Sequence, residues 1–169
     1  VRVQPGVTLA ALDEALGVAG RYYPPAPTFS GAFIGGTVAT NAAGAATFKY
    51  GTTRQWVRAL TIVLPCGEVL DVERGQIVAH PDGYFDLELS TGTVRVPLPT
   101  YQMPRVPKLS AGYFAATEMD LVDLVVGSEG TLGIVTEITL KVLPEVPAMC
   151  VALVPFQSRG AAMAVVRVL

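Results

Sequence analysis

The chain has 169 residues, of which 51% are hydrophobic and 15% charged, so it is long enough for one domain with a buried core and too apolar for a disordered chain. A formal net charge of -2 leaves no basic surface for nucleic acid or an anionic membrane. No apolar run reaches the roughly 18 residues that a spanning helix needs. We therefore expect no nucleic-acid partner, no membrane span, and a location in the cytoplasm, with membrane association through partners left open.

The two cysteines, Cys66 and Cys150, stand far apart, and neither has a second Cys or a His at metal-ligand spacing. This excludes structural zinc, and we expect free, partly buried thiols, with a disulfide as the less favoured alternative. The chain starts at Val1 without a methionine, in what reads as the end of a strand, and stops at Leu169 in an apolar segment without a helix cap. We therefore expect a fragment of a longer protein.

The first part of the chain reads as a strand, a helix and a stiff loop. Residues 1–7 alternate like a strand and contain a Pro-Gly turn. An amphipathic helix capped by Thr8 is predicted to run to about Val18. The residues expected on its buried face are Leu9, Leu12, Ala15 and Leu16. Three prolines in 22–31 predict an extended loop, which serves either as a connector or as a rigid wall for a ligand.

Residues 34–44, with the sequence IGGTVATNAAG, carry no side chain larger than isoleucine. The pattern predicts a turn at Gly35 and Gly36, a short helix from Thr37 and a stop at Gly44. Since the first amides of a helix favour an anion, we expect a phosphate or pyrophosphate at Gly36 and Thr37. Neither the Gly-x-Gly-x-x-Gly spacing nor a P-loop is present, so a tightly packed core helix stays the alternative.

Strands follow. Residues 57–72 alternate around a turn and predict an antiparallel hairpin. The segment 77–113 has five prolines and is predicted to be an excursion with its own small ribbon, built from 85–89 and 93–96. The only histidine, His80, lies beside a turn signal in this excursion. We expect it to be exposed rather than catalytic.

The last part begins with 120–126, which predict a short helix or strand, and continues with a sharp turn of three glycines at 127–133. Residues 134–142 alternate strictly and predict a half-buried strand. The glycine turn is either the lead into an ordinary hairpin or the second half of a ligand site. A strand at 152–156 and a helix from about Ser158 are predicted to follow.

Several ordered motifs resemble the FAD-binding domain of the vanillyl-alcohol oxidase superfamily, the PCMH-type FAD-linked oxidases. More narrowly they resemble the branch that contains glycolate oxidase, D-lactate dehydrogenase and alkylglycerone-phosphate synthase. The motifs are VQPGV at 3–7, PPAPT at 24–28, IGGTVATNAAG at 34–44, KYG at 49–51 and GSEGTLGIVT at 127–136. The resemblance covers residues 1–147 except for the excursion at 77–113.

The resemblance implies an α+β fold: the second subdomain of such a domain, a mostly antiparallel sheet flanked by helices, with the start of a C-terminal cap. It divides the chain into an FAD-binding domain at 1–147, whose first subdomain is missing, and the start of a substrate-binding cap at 148–169. The residues expected on the pyrophosphate side of FAD are Pro27, Thr28, Ser30, Gly35, Gly36, Thr40, Asn41 and Gly44. Those expected along the adenosine side are Glu129, Gly130, Thr131, Leu132, Gly133, Ile134 and Val135. Many relatives carry an acidic residue where Ala26 stands, so that contact departs from the pattern.

The resemblance further implies an FAD-dependent oxidoreductase that takes a hydride from a 2-hydroxy acid such as glycolate or D-lactate onto the flavin. Its electrons would pass to a quinone, iron-sulfur or cytochrome partner. FAD is the cofactor expected, no metal is expected, and no residue of the chain is assigned a catalytic role, so the fragment alone is expected to be inactive. The alternatives are a non-catalytic FAD-binding subunit or interaction module, and a transferase similar to alkylglycerone-phosphate synthase.

Overall fold

A computed structural model describes residues 1–25, 27–106, 109, 112–145, 148 and 150–168. The strands are β1 (Arg2–Val3), β2 (Arg21–Tyr22), β3 (Val57–Val63), β4 (Val69–Glu73), β5 (Tyr84–Leu89), β6 (Gly92–Pro97), β7 (Ile134–Leu140) and β8 (Leu143–Pro144). The helices are α1 (Leu9–Val18), α2 (Ile34–Ala39), α3 (Thr47–Tyr50), α4 (Leu121–Val125) and α5 (Arg159–Val166), with a 3-10 turn at Thr53–Trp56. These elements confirm the predicted α+β class with antiparallel sheets.

The main sheet has four antiparallel strands in the order β1-β7-β3-β4. The predicted hairpin is confirmed as β3 and β4, with Leu60 opposite Val72. The predicted strand at 134–142 is confirmed as β7, although it ends at Leu140 and the chain then pairs again as β8 with β2. Leu60 and Ile138 lie opposite each other and are both almost fully buried, so one face of the sheet packs against the helices.

Helix α1 forms where the sequence predicts it. The hydroxyl oxygen of Thr8 accepts a hydrogen bond from the Ala11 N–H at 3.1 Å, which caps the first turn. The buried face carries Leu9, Leu12 and Leu16. Ala15 is exposed, so its predicted burial is wrong: its side chain lies beyond the edge of the apolar stripe.

Thr8→Ala is expected to lower the free energy of unfolding by about 1 kcal/mol, because the Ala11 N–H loses its acceptor. Thr8→Ser keeps the hydroxyl and should stay within about 0.5 kcal/mol of the parent protein. Urea unfolding of the three proteins measures both values. Equal losses in the two variants would show that the hydroxyl does not cap the helix.

The core lies between the sheet and helices α1, α2 and α4. Ile34 and Val38 of α2 and Val122 of α4 have no exposed surface. Helix α4 contacts β3 and β4, and α2 contacts β7. Because α2 is held by its apolar side chains on one face, its other face is left for the surface of the molecule.

The excursion at 77–113 contains the predicted ribbon, formed by β5 and β6 in antiparallel register. Phe85 and Leu87 turn inward to the core. On the outer face Arg95 pairs with Asp86 at 3.0 Å. His80 is exposed and its ring stacks on Tyr84 at 4.7 Å, so the predicted exposure of this histidine is confirmed.

The strand predicted at 152–156 is wrong: the segment is extended but pairs with no strand among the described residues, and Leu153 is 99% exposed. Helix α5 does start after its predicted cap, Ser158. Cys66 and Cys150 are free thiols, but both are exposed rather than partly buried. The predicted domain boundary at 147 and the departure at 26 lie outside the described residues.

None of the helices in the described part of the chain is both long and apolar enough to cross a membrane.

Candidate functional site

Helix α2 starts three residues earlier than predicted, at Ile34, so Gly35 and Gly36 form its first turn instead of preceding it. The cause is a contact with the loop after β1. The Ile34 N–H donates to the carbonyl of Val7 at 2.8 Å, and the Gly35 N–H donates to the carbonyl of Pro5 at 2.8 Å. A Cβ atom on Gly35 would lie 2.5 Å from the Cβ of Pro5, so only glycine fits at this approach.

Gly36 differs from its neighbour because a Cβ atom there would meet nothing within 4 Å. Its N–H has no backbone acceptor among the described residues, whereas the Thr37 N–H donates to the carbonyl of Phe33 at 3.0 Å. Of the two amides expected to bind a phosphate, that of Gly36 is therefore available and that of Thr37 is used inside the helix. The expectation for Thr37 is wrong for this reason.

The second glycine-rich segment, 127–133, turns sharply between α4 and β7. Gly127, Glu129 and Gly130 all have positive φ angles, of 89°, 55° and 75°. The Gly127 N–H donates to the carbonyl of Val38 at 2.9 Å, and the Glu129 N–H donates to the carbonyl of Ala39 at 2.8 Å. These two bonds hold the two glycine-rich segments side by side.

A groove of about 410 Å³ lies between the two glycine-rich segments. It is lined by Pro5, Gly6, Phe33, Gly35, Gly36, Ala39, Val125, Ser128, Gly130, Gly133, Ile134 and Val135. No charged side chain is among these residues. Backbone amides and the Ser128 hydroxyl are therefore the polar groups with which this wall can meet an anion.

The structure brings six of the predicted site residues to this groove. They are Gly35, Gly36, Gly130, Gly133, Ile134 and Val135. The predicted residues that do not line it are Pro27, Thr28, Ser30, Thr40, Asn41, Gly44, Glu129, Thr131 and Leu132. Some of these have structural partners: the Thr40 hydroxyl donates to the carbonyl of Gly36 at 2.9 Å, and the Thr131 hydroxyl to the carbonyl of Ser128 at 2.6 Å.

Sequence reasoning missed the groove residues Pro5, Gly6, Phe33, Ala39, Val125 and Ser128. The first two were interpreted only as a turn, although they belong to a motif that supports the family resemblance. Gly133 shows why the second segment needs its last glycine: a Cβ atom there would lie 2.8 Å from the carbonyl oxygen of Val63.

A second cleft, of about 240 Å³, lies beside the junction between α2 and the Gly127 turn. We call it the Arg54 cleft; its lining residues are Asn41, Thr52, Arg54, Gln55, Met103, Pro104, Val106, Leu109, Gly112, Phe114 and Gly127. Asn41 is buried with a φ angle of 48°. Its Oδ1 accepts from the Arg54 N–H at 3.0 Å and its Nδ2 donates to the carbonyl of Leu109 at 3.3 Å.

The side chain of Arg54 is half-buried and stacks on the ring of Phe114, with 4.5 Å between the guanidinium carbon and the ring centroid. Its guanidinium donates to the backbone carbonyl of Asp123. The carboxylate of Asp123 is paired with Arg74 at 2.9 Å. Burial lowers the pKa of Arg54 to about 10; the charge of Asp123 partly offsets this lowering, and Arg74 adds to it.

In the part of the chain that the structure describes, no three side chains of His, Cys, Asp or Glu gather as a metal site would require. No residue that lines the groove is titratable. The groove is therefore a binding surface, and its chemistry depends on what it binds.

Comparisons with known proteins agree on one family. A family model described as "FAD binding domain" matches residues 1–73. A D-lactate dehydrogenase of Anaerostipes hadrus is 37% identical over 94% of this chain and 26% of its own length. A D-lactate dehydrogenase of Archaeoglobus fulgidus is 32% identical over 94% of this chain and 28% of its own. The glycolate oxidase subunit GlcD of Bacillus subtilis is 34% identical over 85% of this chain and 23% of its own.

The chain thus spans about a quarter of the length of these curated relatives. Among solved structures, an alkyldihydroxyacetonephosphate synthase matches with a TM-score of 0.53 and 23% identity, over 85% of this chain and 19% of that one. At this identity the likeness supports the fold.

Proposed function

We propose that this chain, which belongs to the family of FAD-binding domains of PCMH-type FAD-linked oxidoreductases, forms one wall of the FAD site in an enzyme that oxidises a small 2-hydroxy acid. FAD is the cofactor of this family. The observation that carries the proposal is the groove between the two glycine-rich segments, which are joined by backbone hydrogen bonds at Val38 and Ala39.

The residues of the groove fit a dinucleotide. Gly36 and Gly130 both line it, and a Cβ atom on either would meet no protein atom within 4 Å, so a side chain there would project into the open groove. Bare backbone allows the close approach that a pyrophosphate needs, and the Gly36 N–H lacks a backbone acceptor among the described residues. We assign the pyrophosphate to Gly36 and the turn at 128–130, and the adenosine to the exposed apolar edge at Ile134 and Val135.

The proposal includes the other predicted contacts, which flank these two segments. They are Pro27, Thr28, Ser30, Gly35, Thr40, Asn41, Gly44, Glu129, Thr131, Leu132 and Gly133. It also retains the division into an FAD-binding domain at 1–147 and the start of a substrate-binding cap at 148–169.

When bound, FAD supplies the acceptor for the hydride that a 2-hydroxy acid loses on oxidation to a 2-oxo acid. This chain's part is to bind and to exclude water. Phe33, Val125 and Ile134 give the groove an apolar lining, and the rigid junction at Val38 and Ala39 fixes the spacing of its walls. The names of the relatives support D-lactate or glycolate as the substrate. We propose a quinone, iron-sulfur or cytochrome partner as the electron acceptor.

The full-length protein is expected to purify yellow and to lose its flavin absorbance when D-lactate or glycolate is added without oxygen. The absorbance should return when an electron acceptor is supplied. L-lactate is the matched control, since it differs only in configuration and should bleach the flavin much more slowly. Bound flavin that none of these acids reduces would overturn the proposed substrate class and favour a non-catalytic FAD-binding subunit.

A further inference from the structure

We propose that the Arg54 cleft binds a small monocarboxylate anion through the guanidinium group of Arg54. The cleft shares no lining residue with the groove described above, since the hydrogen-bonded junction of Val38 with Gly127 runs between them. A carboxylate site here does not depend on the proposed function.

Two guanidinium groups share one carboxylate beside the cleft. Arg54 and Arg74 both lie next to Asp123, but the carboxylate is paired with Arg74, and Arg54 receives only the backbone carbonyl. The neighbouring Asp120 accepts from the N–H groups of Gly75 and Val122, and it is bonded to neither arginine. None of the residues outside the description is an Asp or a Glu. Arg54 thus lacks a carboxylate partner of its own, and an anion in the cleft would supply one.

The hydrogen-bond donors of the cleft suit a carboxylate. Besides the bond to Asp123, the guanidinium of Arg54 donates to no other acceptor among the described residues, and it lines the cleft. The Oε1 of Gln55 accepts from the N–H and the hydroxyl of Thr52, at 2.7 and 2.9 Å, which leaves the amide nitrogen of Gln55 as a further donor. A planar guanidinium fork beside an amide donor matches the planar carboxylate group.

The size and the apolar wall of the cleft limit the anion that can enter. Met103, Pro104 and Val106 come from the excursion at 77–113 and, with Phe114, form a wall without any carboxylate. A volume of about 240 Å³ is small for a cofactor and suits an anion of a few heavy atoms with a short hydrocarbon end. The anion is either the carboxylate of the substrate or that of a separate small acid.

The test is calorimetric titration of the oxidised full-length flavoprotein with sodium acetate at constant ionic strength. One saturable site per chain is expected, and Arg54→Gln should weaken binding by about tenfold or more. Arg54→Lys, which keeps the charge but loses the fork, should fall between the two. Arg58→Gln is the matched control, because Arg58 is exposed on β3 outside the cleft, and it should bind like the parent.

Because Arg54→Gln could disturb folding through the lost contact with Asp123, a second variant leaves the arginine in place. Val106→Trp fills the cleft from its exposed rim and should also weaken acetate binding by about tenfold or more. Affinity of the parent protein should fall as the pH rises past about 10, where Arg54 loses its charge while Asp123 stays ionised and Arg74 keeps its pairing.

Absence of saturable binding, or unchanged binding by Arg54→Gln, would overturn the inference, and so would inorganic phosphate binding at least as tightly as acetate. Steady-state rates with the acid that reduces the flavin separate the two sources. Acetate that raises the KM for that acid assigns the cleft to the substrate carboxylate, and acetate that changes kcat alone assigns it to a separate acid. A protein that oxidises D-lactate without binding acetate would lose this inference and keep the proposed function.

Discussion

Gly36→Leu is expected to weaken FAD binding by about tenfold or more, because the new side chain would occupy the groove where nothing now lies within 4 Å. The fold should survive, since leucine is favoured over glycine inside a helix by about 0.8 kcal/mol and meets no protein atom there. The measurement is the ratio of FAD to protein after purification, followed by titration of the apoprotein with FAD.

Gly17→Leu is the matched control for this change. Gly17 also lies in a helix, α1, and also has nothing within 4 Å of a Cβ atom, but it is outside the groove. The control protein should bind FAD like the parent. Full FAD content in Gly36→Leu would show that FAD does not occupy this groove, whatever its other walls are.

Asn41→Ala is expected to lower the free energy of unfolding by about 2–4 kcal/mol. Loss of Oδ1 leaves the Arg54 N–H without its acceptor, at a cost of about 1–3 kcal/mol. Alanine at a φ angle of 48° adds about 1 kcal/mol of backbone strain. Asn41→Gly removes the same side chain without that strain, so it should lose about 1–3 kcal/mol. Urea unfolding measures the difference between the two variants.

Glu129 supplies the control for the strain in Asn41→Ala. It has a similar φ angle of 55° but an exposed side chain, so Glu129→Ala and Glu129→Gly should differ by the strain alone. If Asn41→Ala and Asn41→Gly were equally stable, the positive φ angle would not matter at this position. If neither lost stability, Asn41 would not hold the junction together.

The parts of the fold that were predicted correctly are those where burial follows a regular period. Leu60, Ile62 and Ile138 alternate with less buried residues, so the pattern that the sequence shows is the pattern that the sheet needs. Helix α1 combines such a period with the Thr8 cap. Residues 152–156 have a similar apolar content but no partner strand among the described residues, and local pattern alone cannot tell the two cases apart.

The start of α2 could not be predicted because a distant contact determines it. A glycine pair suggests a turn, but the carbonyls of Pro5 and Val7 bind the first amides and allow the helix to begin at Ile34. The site shows the same division. Its two glycine-rich segments were recognised from their residues, whereas the role of Ser128 depends on how loops fold over the sheet.

The Arg54 cleft could not be expected from the order of the residues. Arg54 stands in an ordinary polar turn, and its partners Asp123 and Phe114 lie far along the chain. Only the folded structure brings two guanidinium groups to one carboxylate. A tertiary arrangement of charges of this kind has no local sequence pattern.

The position of β7 between β1 and β3 has a consequence for how this chain is synthesised. The hairpin of β3 and β4 can close as soon as it is made, but β1 has no neighbour until β7 emerges, when Arg2 can pair with Thr139. Until then β3 keeps an open edge of unpaired backbone groups, which can pair with the wrong chain. Completion of the sheet therefore waits for long-range closure, and slow assembly guarded by chaperones is the expected route for a nascent chain of this topology.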